Sequence, residues 1–124
     1  MRSIVLAVFF VMLVVTGVLA GSGDVTSREA KALIEKDRNV FVLDVRTPQE
    51  TSQGRVPGAV LMPVNELERR VSEVPKNRPV IIYCAVGSRS RHAANFLSRR
   101  GYTNIHNMTD GIVGWQRNGF PVQR

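Results

Sequence analysis

Two apolar runs dominate the middle of the chain, Val40-Phe41-Val42-Leu43-Asp44-Val45 and Val80-Ile81-Ile82-Tyr83. Asp44 apart, neither alternates polar with apolar residues. Such runs belong to strands buried on both faces, which requires a parallel sheet covered by helices on each side. The flanking segments supply the helices. Thr26-Ser27-Arg28-Glu29 has the spacing of a capping box, and Ala30, Leu33 and Ile34 follow at helical intervals. A first helix ending near Lys36-Asp37 is therefore expected. Thr47-Pro48-Gln49-Glu50 repeats the box with proline in the first turn. Residues 90–100 read as a helix with Ala93, Ala94, Phe96 and Leu97 inward and Gly101 as its stop.

The remaining segments complete an alternation of strand and helix. Gly54–Gly58 reads as a turn and Ala59–Met62 as a short strand. Asn65-Glu66-Leu67-Glu68 has cap spacing and predicts a helix towards Val71. Asn104–Met108 reads as a last strand and Gly111–Trp115 as a short helix. Gly21-Ser22-Gly23 reads as a flexible linker. There is no internal repeat and no low-complexity segment. The expected fold class is α/β, a mainly parallel central sheet flanked by helices in three layers.

The beginning of the chain has a different character. Met1-Arg2 is followed by an uncharged stretch from Ile4 to Ala20, with Val18 and Ala20 at the −3 and −1 positions of a cleavage site. We read residues 1–20 as a secretory signal peptide and residues 24–124 as the folded domain. The expected location is periplasmic or exported. The alternative is an uncleaved anchor in the inner membrane facing the periplasm, with membrane contact only through residues 4–20. The absence of cysteine near position 20 excludes a lipid-modified cysteine at that site.

The chain has 17 Lys and Arg against 10 Asp and Glu. Without Arg2 the balance is 16 to 10, a net +6. The basic residues are scattered and aromatics are few, so a nucleic-acid partner is not expected, and attraction of small anions fits best. A monomer is expected.

The chain has one cysteine, Cys84, which cannot form an internal disulfide. It ends the run Val80–Tyr83 and opens the loop Cys84-Ala85-Val86-Gly87-Ser88-Arg89-Ser90, after which a helix begins. A thiol becomes a good nucleophile when it ionises. Loop N–H groups, the positive end of the following helix and Arg89 would all favour the thiolate. They would equally stabilise an anion carried on the sulfur. The competing reading, a small buried hydrophobe at a strand end, leaves the Gly-Ser-Arg sequence unexplained. Ser88 and Ser90 are read as donors to a bound anion or as helix caps. Arg89 is read as an anion binder or a surface helix residue. Asp44 and Arg46 are read as a pair bracing the loop, as pocket lining in the case of Arg46, or as a surface salt bridge of little worth. His92 is expected to be exposed and His106 to be structural. No metal site and no cofactor are read from the sequence.

Three segments carry a resemblance. Leu43-Asp44-Val45-Arg46-Thr47-Pro48-Gln49-Glu50 with Gly54-Arg55-Val56-Pro57-Gly58-Ala59-Val60-Leu61-Met62-Pro63, the Cys84–Ser90 loop, and Asp110-Gly111-Ile112-Val113-Gly114-Trp115 with Gly119-Phe120-Pro121 resemble, in order, the signatures of rhodanese-like sulfurtransferase domains. The resemblance covers most of residues 25–123 and is nearest to small, exported, single-domain bacterial rhodaneses of the phage-shock-protein E type. It departs at Thr51, where the family often has an aromatic, at Arg55, where it often has histidine, and at Asp110, where it often has glycine.

The resemblance implies a rhodanese-like fold and a sulfurtransferase. Cys84 would take a sulfane sulfur from thiosulfate or a similar small anionic donor and pass it, as a persulfide, to cyanide or a thiol. Residues 85–90 would bind the donor and the persulfide, with Asp44 and Arg46 in support. Four residues separate Cys84 from Arg89. Related cysteine phosphatases of this fold have one more, which disfavours a phosphatase or arsenate reductase. A persulfide carrier with a protein acceptor remains the other alternative.

Overall fold

The computed structural model describes residues 21–124, so the signal-peptide reading of residues 1–20 lies outside the described residues. Five strands form one sheet, β1 (Gly23–Val25), β2 (Phe41–Asp44), β3 (Val60–Leu61), β4 (Val80–Tyr83) and β5 (Ile105–Met108), in the order β1-β5-β4-β2-β3. Every pairing in it is parallel. The helices are α1 (Ser27–Lys36), α2 (Pro48–Thr51), α3 (Ser88–Arg99) and α4 (Gly111–Arg117), with two 3-10 turns at Val64–Glu66 and Val71–Glu73. Among the described residues no helix is long and apolar enough to cross a membrane.

The period of two along β4 divides the core. Val80, Ile82 and Cys84 face one layer with Leu43, Met62, Ala93, Leu97 and Tyr102, against α3 and the 3-10 turns. Ile81 and Tyr83 face the other, with Val25, Ala30, Val42, Met108, Ile112 and Trp115, against α1 and α4. This is why the strand reads as unbroken apolar sequence: both faces are covered. It also means that the chain leaves β4 with its next side chain, Cys84, turned towards the start of α3.

Both capping boxes form. Thr26 and Glu29 exchange side-chain to backbone bonds at the start of α1, and Thr47 and Glu50 do so at the start of α2. Three expectations need correction. Gly23 is not linker but part of β1, an edge strand beside β5 too short to show a pattern. The helix expected from Asn65 is instead the pair of 3-10 turns. Its cap position falls on Pro63, which offers no side-chain acceptor, and Asn65 lies inside the turn. Helix α3 begins at Ser88 rather than Ser90, and its cap is Gly87, with φ near 97°.

Candidate active site

Cys84 lies at the carboxyl end of the central strand with no solvent exposure. Its sulfur accepts from the Gly87 N–H at 3.2 Å and the Ser90 N–H at 3.4 Å, and lies 3.4 Å from the Ser90 hydroxyl. Burial pushes the thiol up, but the Ser90 hydroxyl and the Ser90, Val86 and Gly87 N–H groups outweigh it, so the net shift is downwards. The loop is thus a nest of donors closed around one sulfur.

The cradle is held open by what packs behind it. The Cys84 and Ala85 carbonyls accept from the N–H groups of Ile112 and Val113, in the first turn of α4, at 2.9 and 3.2 Å. With its carbonyls engaged outwards, the loop turns its N–H groups inwards. The Asn107 side chain, buried in β5, donates to the Gly87 carbonyl at 3.2 Å. Two glycines make this approach possible. A Cβ on Gly87 would lie 2.3 Å from the Thr109 carbonyl oxygen, and one on Gly111, at φ 58°, would lie 2.2 Å from that of Ala85. Asp110, where the resembling family often has glycine, is used: its carboxylate accepts from Ser27 N at 2.8 Å and Ser27 Oγ at 2.6 Å, tying α4 to α1. Gly114 leaves room for that carboxylate.

The residues singled out in the loop divide. Gly87 and Ser90 meet the sulfur, and the Val86 side chain is exposed. Ala85 anchors the loop through its carbonyl. Ser88 is exposed at the first residue of α3, and neither it nor Ser90 is a helix cap, because Gly87 occupies that position. Arg89 forms a bidentate pair with Glu50, Nη1 to Oε1 at 2.7 Å and Nη2 to Oε2 at 2.8 Å. That pair, with the Thr47 cap, holds the Glu50 carboxyl at about 2.

Asp44 and Arg46 are not a surface pair, which overturns that reading. Asp44 is wholly buried and Arg46 nearly so, and they meet at 2.8 Å. Asp44 also accepts from the hydroxyls of Thr51 at 2.9 Å and Tyr83 at 2.8 Å, while Arg46 donates to the Gly54 carbonyl at 2.8 Å. The pair therefore braces α2 and the following turn against the sheet, and it meets the strand that carries Cys84 at the Tyr83 hydroxyl. Thr51, where an aromatic is common, supplies one of these bonds. Arg55 pairs through its backbone with Gln123.

His92 is exposed and His106 is buried against Asn104, and neither bonds to the sulfur. Among the described residues no group of three His, Cys, Asp or Glu side chains is gathered as a metal site. The sequence reading missed two parts of the site. Glu50 was legible only as a helix cap, and Asn107 sits in a strand where nothing in the pattern marks it.

The comparisons with known proteins agree with this architecture. The family described as the rhodanese-like domain matches residues 26–118. A sulfurtransferase from Allochromatium vinosum is 36% identical over 99 residues, covering 80% of this chain and 92% of that protein. The thiosulfate sulfurtransferase GlpE from Actinobacillus succinogenes is 32% identical over 100 residues, covering 81% and 89%. The crystal structure of a rhodanese-related protein from Thermoplasma volcanium superposes with a TM-score of 0.75 at 30% identity, covering 81% of this chain and 96% of that one. On its matched segment, its five-stranded parallel sheet and its sulfurtransferase relatives, the chain belongs to the rhodanese-like domain family.

Proposed function

We propose that the protein is a sulfurtransferase that moves a sulfane sulfur from thiosulfate or a similar donor, through a persulfide on Cys84, to cyanide or a thiol. The observation that carries this reading is the convergence of the Gly87 and Ser90 N–H groups and the Ser90 hydroxyl on one sulfur, with the thiol lowered.

The Cys84 thiolate attacks the outer sulfur of thiosulfate. A sulfur–sulfur bond forms to Cys84, the bond to the sulfonate sulfur breaks, and sulfite leaves with the electron pair. The persulfide keeps one negative charge, and the N–H groups of Gly87 and Ser90 bear on it as oxyanion donors would. Cyanide or a thiolate then attacks the outer sulfur and returns Cys84 to the thiolate. Because the sulfur has no exposure, the donor enters on a local opening of the loop. Ala85 anchors the cradle, Ser88 and Arg89 stand at its rim, and Asp44 and Arg46 fix α2 beside it. The reaction calls on no metal or organic cofactor. We place the protein in the periplasm as a monomer, delivered by residues 1–20.

The test is thiosulfate:cyanide sulfurtransferase activity of the purified protein beside Cys84→Ser. Cysteine-dependent thiocyanate formation supports the reading. Equal turnover in the serine variant, or a folded and reduced wild type that takes sulfur from neither thiosulfate nor a thiosulfonate, overturns it.

A further inference from the structure

Arg89 is the loop residue best placed to bind an anionic donor, yet its charge is already taken. Both of its terminal nitrogens bond to Glu50, at 2.7 and 2.8 Å. Glu50 is also tied to the start of its own helix: its Oε1 accepts from the Thr47 backbone N–H and hydroxyl, both at 3.2 Å, in the box that starts α2. The neighbouring cation, Arg46, is spent on Asp44 and the Gly54 carbonyl. At the carboxyl ends of β2 and β4 there are thus two guanidinium groups and two carboxylates, paired with each other. A cleft of about 220 Å³ opens beside Glu50, lined by Arg46, Glu50, Gln53, Gly54, Ile112 and Gln116. Its ions are paired, and its other polar side chains are the uncharged amides of Gln53 and Gln116. Ile112 bonds through its N–H to the Cys84 carbonyl, so the cleft meets the outer side of the Cys84 loop, away from its inward N–H groups.

We propose that Glu50 sets the charge preference of the Cys84 site: by cancelling Arg89 it favours monoanionic organic sulfane donors, of the thiosulfonate or hydropersulfide class, over the thiosulfate dianion. Glu50 acts through Arg89, as a positioning and specificity residue, and the inference rests on the sulfur-transfer reading above.

Methanethiosulfonate and thiosulfate are matched probes. Each gives its outer sulfur to the thiolate, and the leaving group is methanesulfinate or sulfite, so the donors differ chiefly by one negative charge. The measurement is kcat/KM with each donor at fixed ionic strength, and the gain of one sulfur atom by Cys84 in the mass spectrum. The variants are Glu50→Gln, Arg89→Gln and the double variant. Glutamine also serves in a capping box, so Glu50→Gln removes charge and keeps the start of α2.

The ratio of thiosulfate to methanethiosulfonate kcat/KM is expected to rise about fivefold in Glu50→Gln and to fall by a similar factor in Arg89→Gln. In the double variant, with the pair neutral again, it returns to within about twofold of wild type. A ratio that stays put or falls in Glu50→Gln overturns the proposal. If that variant does not fold, an unmoved ratio in Arg89→Gln overturns it and a fall supports it. A folded wild type that takes sulfur from neither donor overturns the sulfur-transfer reading itself.

Discussion

The ends of β4 and β2 lie side by side, with Asp44 opposite Tyr83 in the register, and they are built on opposite plans. After β4 the chain uses backbone. Gly87 and Ser90 offer N–H groups to a sulfur, the carbonyls are fastened behind by α4, and the wrap depends on glycine at Gly87 and Gly111. After β2 it uses side chains, and nearly all are committed to one another: Asp44 with Arg46, Thr51 and Tyr83, and Glu50 with Thr47 and Arg89. The first segment holds a nucleophile in a ring of donors, and the second holds the first in place. The difference teaches where to look for chemistry and where for stability. Uncommitted backbone donors can stabilise a charge that develops in a reaction, whereas a satisfied buried ion network resists change.

If the division is real, substitutions after β4 should damage activity and those after β2 should damage folding. The largest effect is expected from Cys84→Ser, which should abolish sulfur transfer and persulfide formation while the thermal midpoint stays near wild type. Asp44→Ala comes next. It strands the buried Arg46 without its carboxylate, a loss of about 3–5 kcal/mol, read as a lower urea midpoint. Sulfur transfer per folded molecule should survive, and its complete loss in a folded protein would break the comparison. Gly87→Ala reverses the pattern. A Cβ there meets the Thr109 carbonyl in a left-handed backbone, so the loop must shift and its N–H groups lose their aim. The expected cost is about 100-fold in kcat, the scale of losing a preorganised donor. Ser90→Ala sharpens the picture at smaller scale. Removing one of the groups that outweigh burial raises the thiol, so the pH–rate profile moves to higher pH and the rate at neutral pH falls. Much of that loss should return when the assay is run at higher pH.

Much of this division is legible in the chain itself, for a physical reason. Strand β4, the cysteine and the glycine that follow, and the helix after them are local, so their order is written in consecutive residues. The same holds for Thr47 and Glu50, which meet within one turn. The second partner of each group is not local. Glu50 and Arg89 are 39 residues apart, and their meeting follows from the pairing of β2 with β4 rather than from any pattern near either residue. For Asp44 and Arg46 the chain left a bracing pair, a pocket lining and a surface pair open, because two residues in sequence do not say what buries them. Burial by Tyr83 and Thr51 from other segments made the pair a core network. Strand β1 was missed because three residues beside a glycine-rich stretch carry no periodicity, and only the edge of β5 gives them a partner. The helix expected at Asn65 failed for the opposite reason. Its spacing was right, but Pro63 took the cap position.

The smallest effect tests whether the bridge between the two segments adds to stability as well as to charge. Glu50 is held at about 2, first by its bonds to Arg89 and then, against a counteracting burial, by the Thr47 cap. In the unfolded chain it returns to the ordinary 4.5. A carboxyl lowered by folding stabilises the folded state above its unfolded value and loses that contribution as pH falls through its folded value. The contribution of the pair should therefore be whole at neutral pH, decline below about pH 4.5 and be gone near pH 2. Both side chains are about one-third exposed, so water screens the pair and its worth is about 1 kcal/mol or less. Glu50→Gln has no such titration. Urea midpoints between pH 2 and 7 should fall more steeply for wild type than for Glu50→Gln below about pH 4.5, and the two curves should converge at the acid end. Parallel curves would mean that the clamp between the segments shapes the cradle's charge without helping to hold the fold, and the scaffold would then end at Asp44, Arg46 and Thr51.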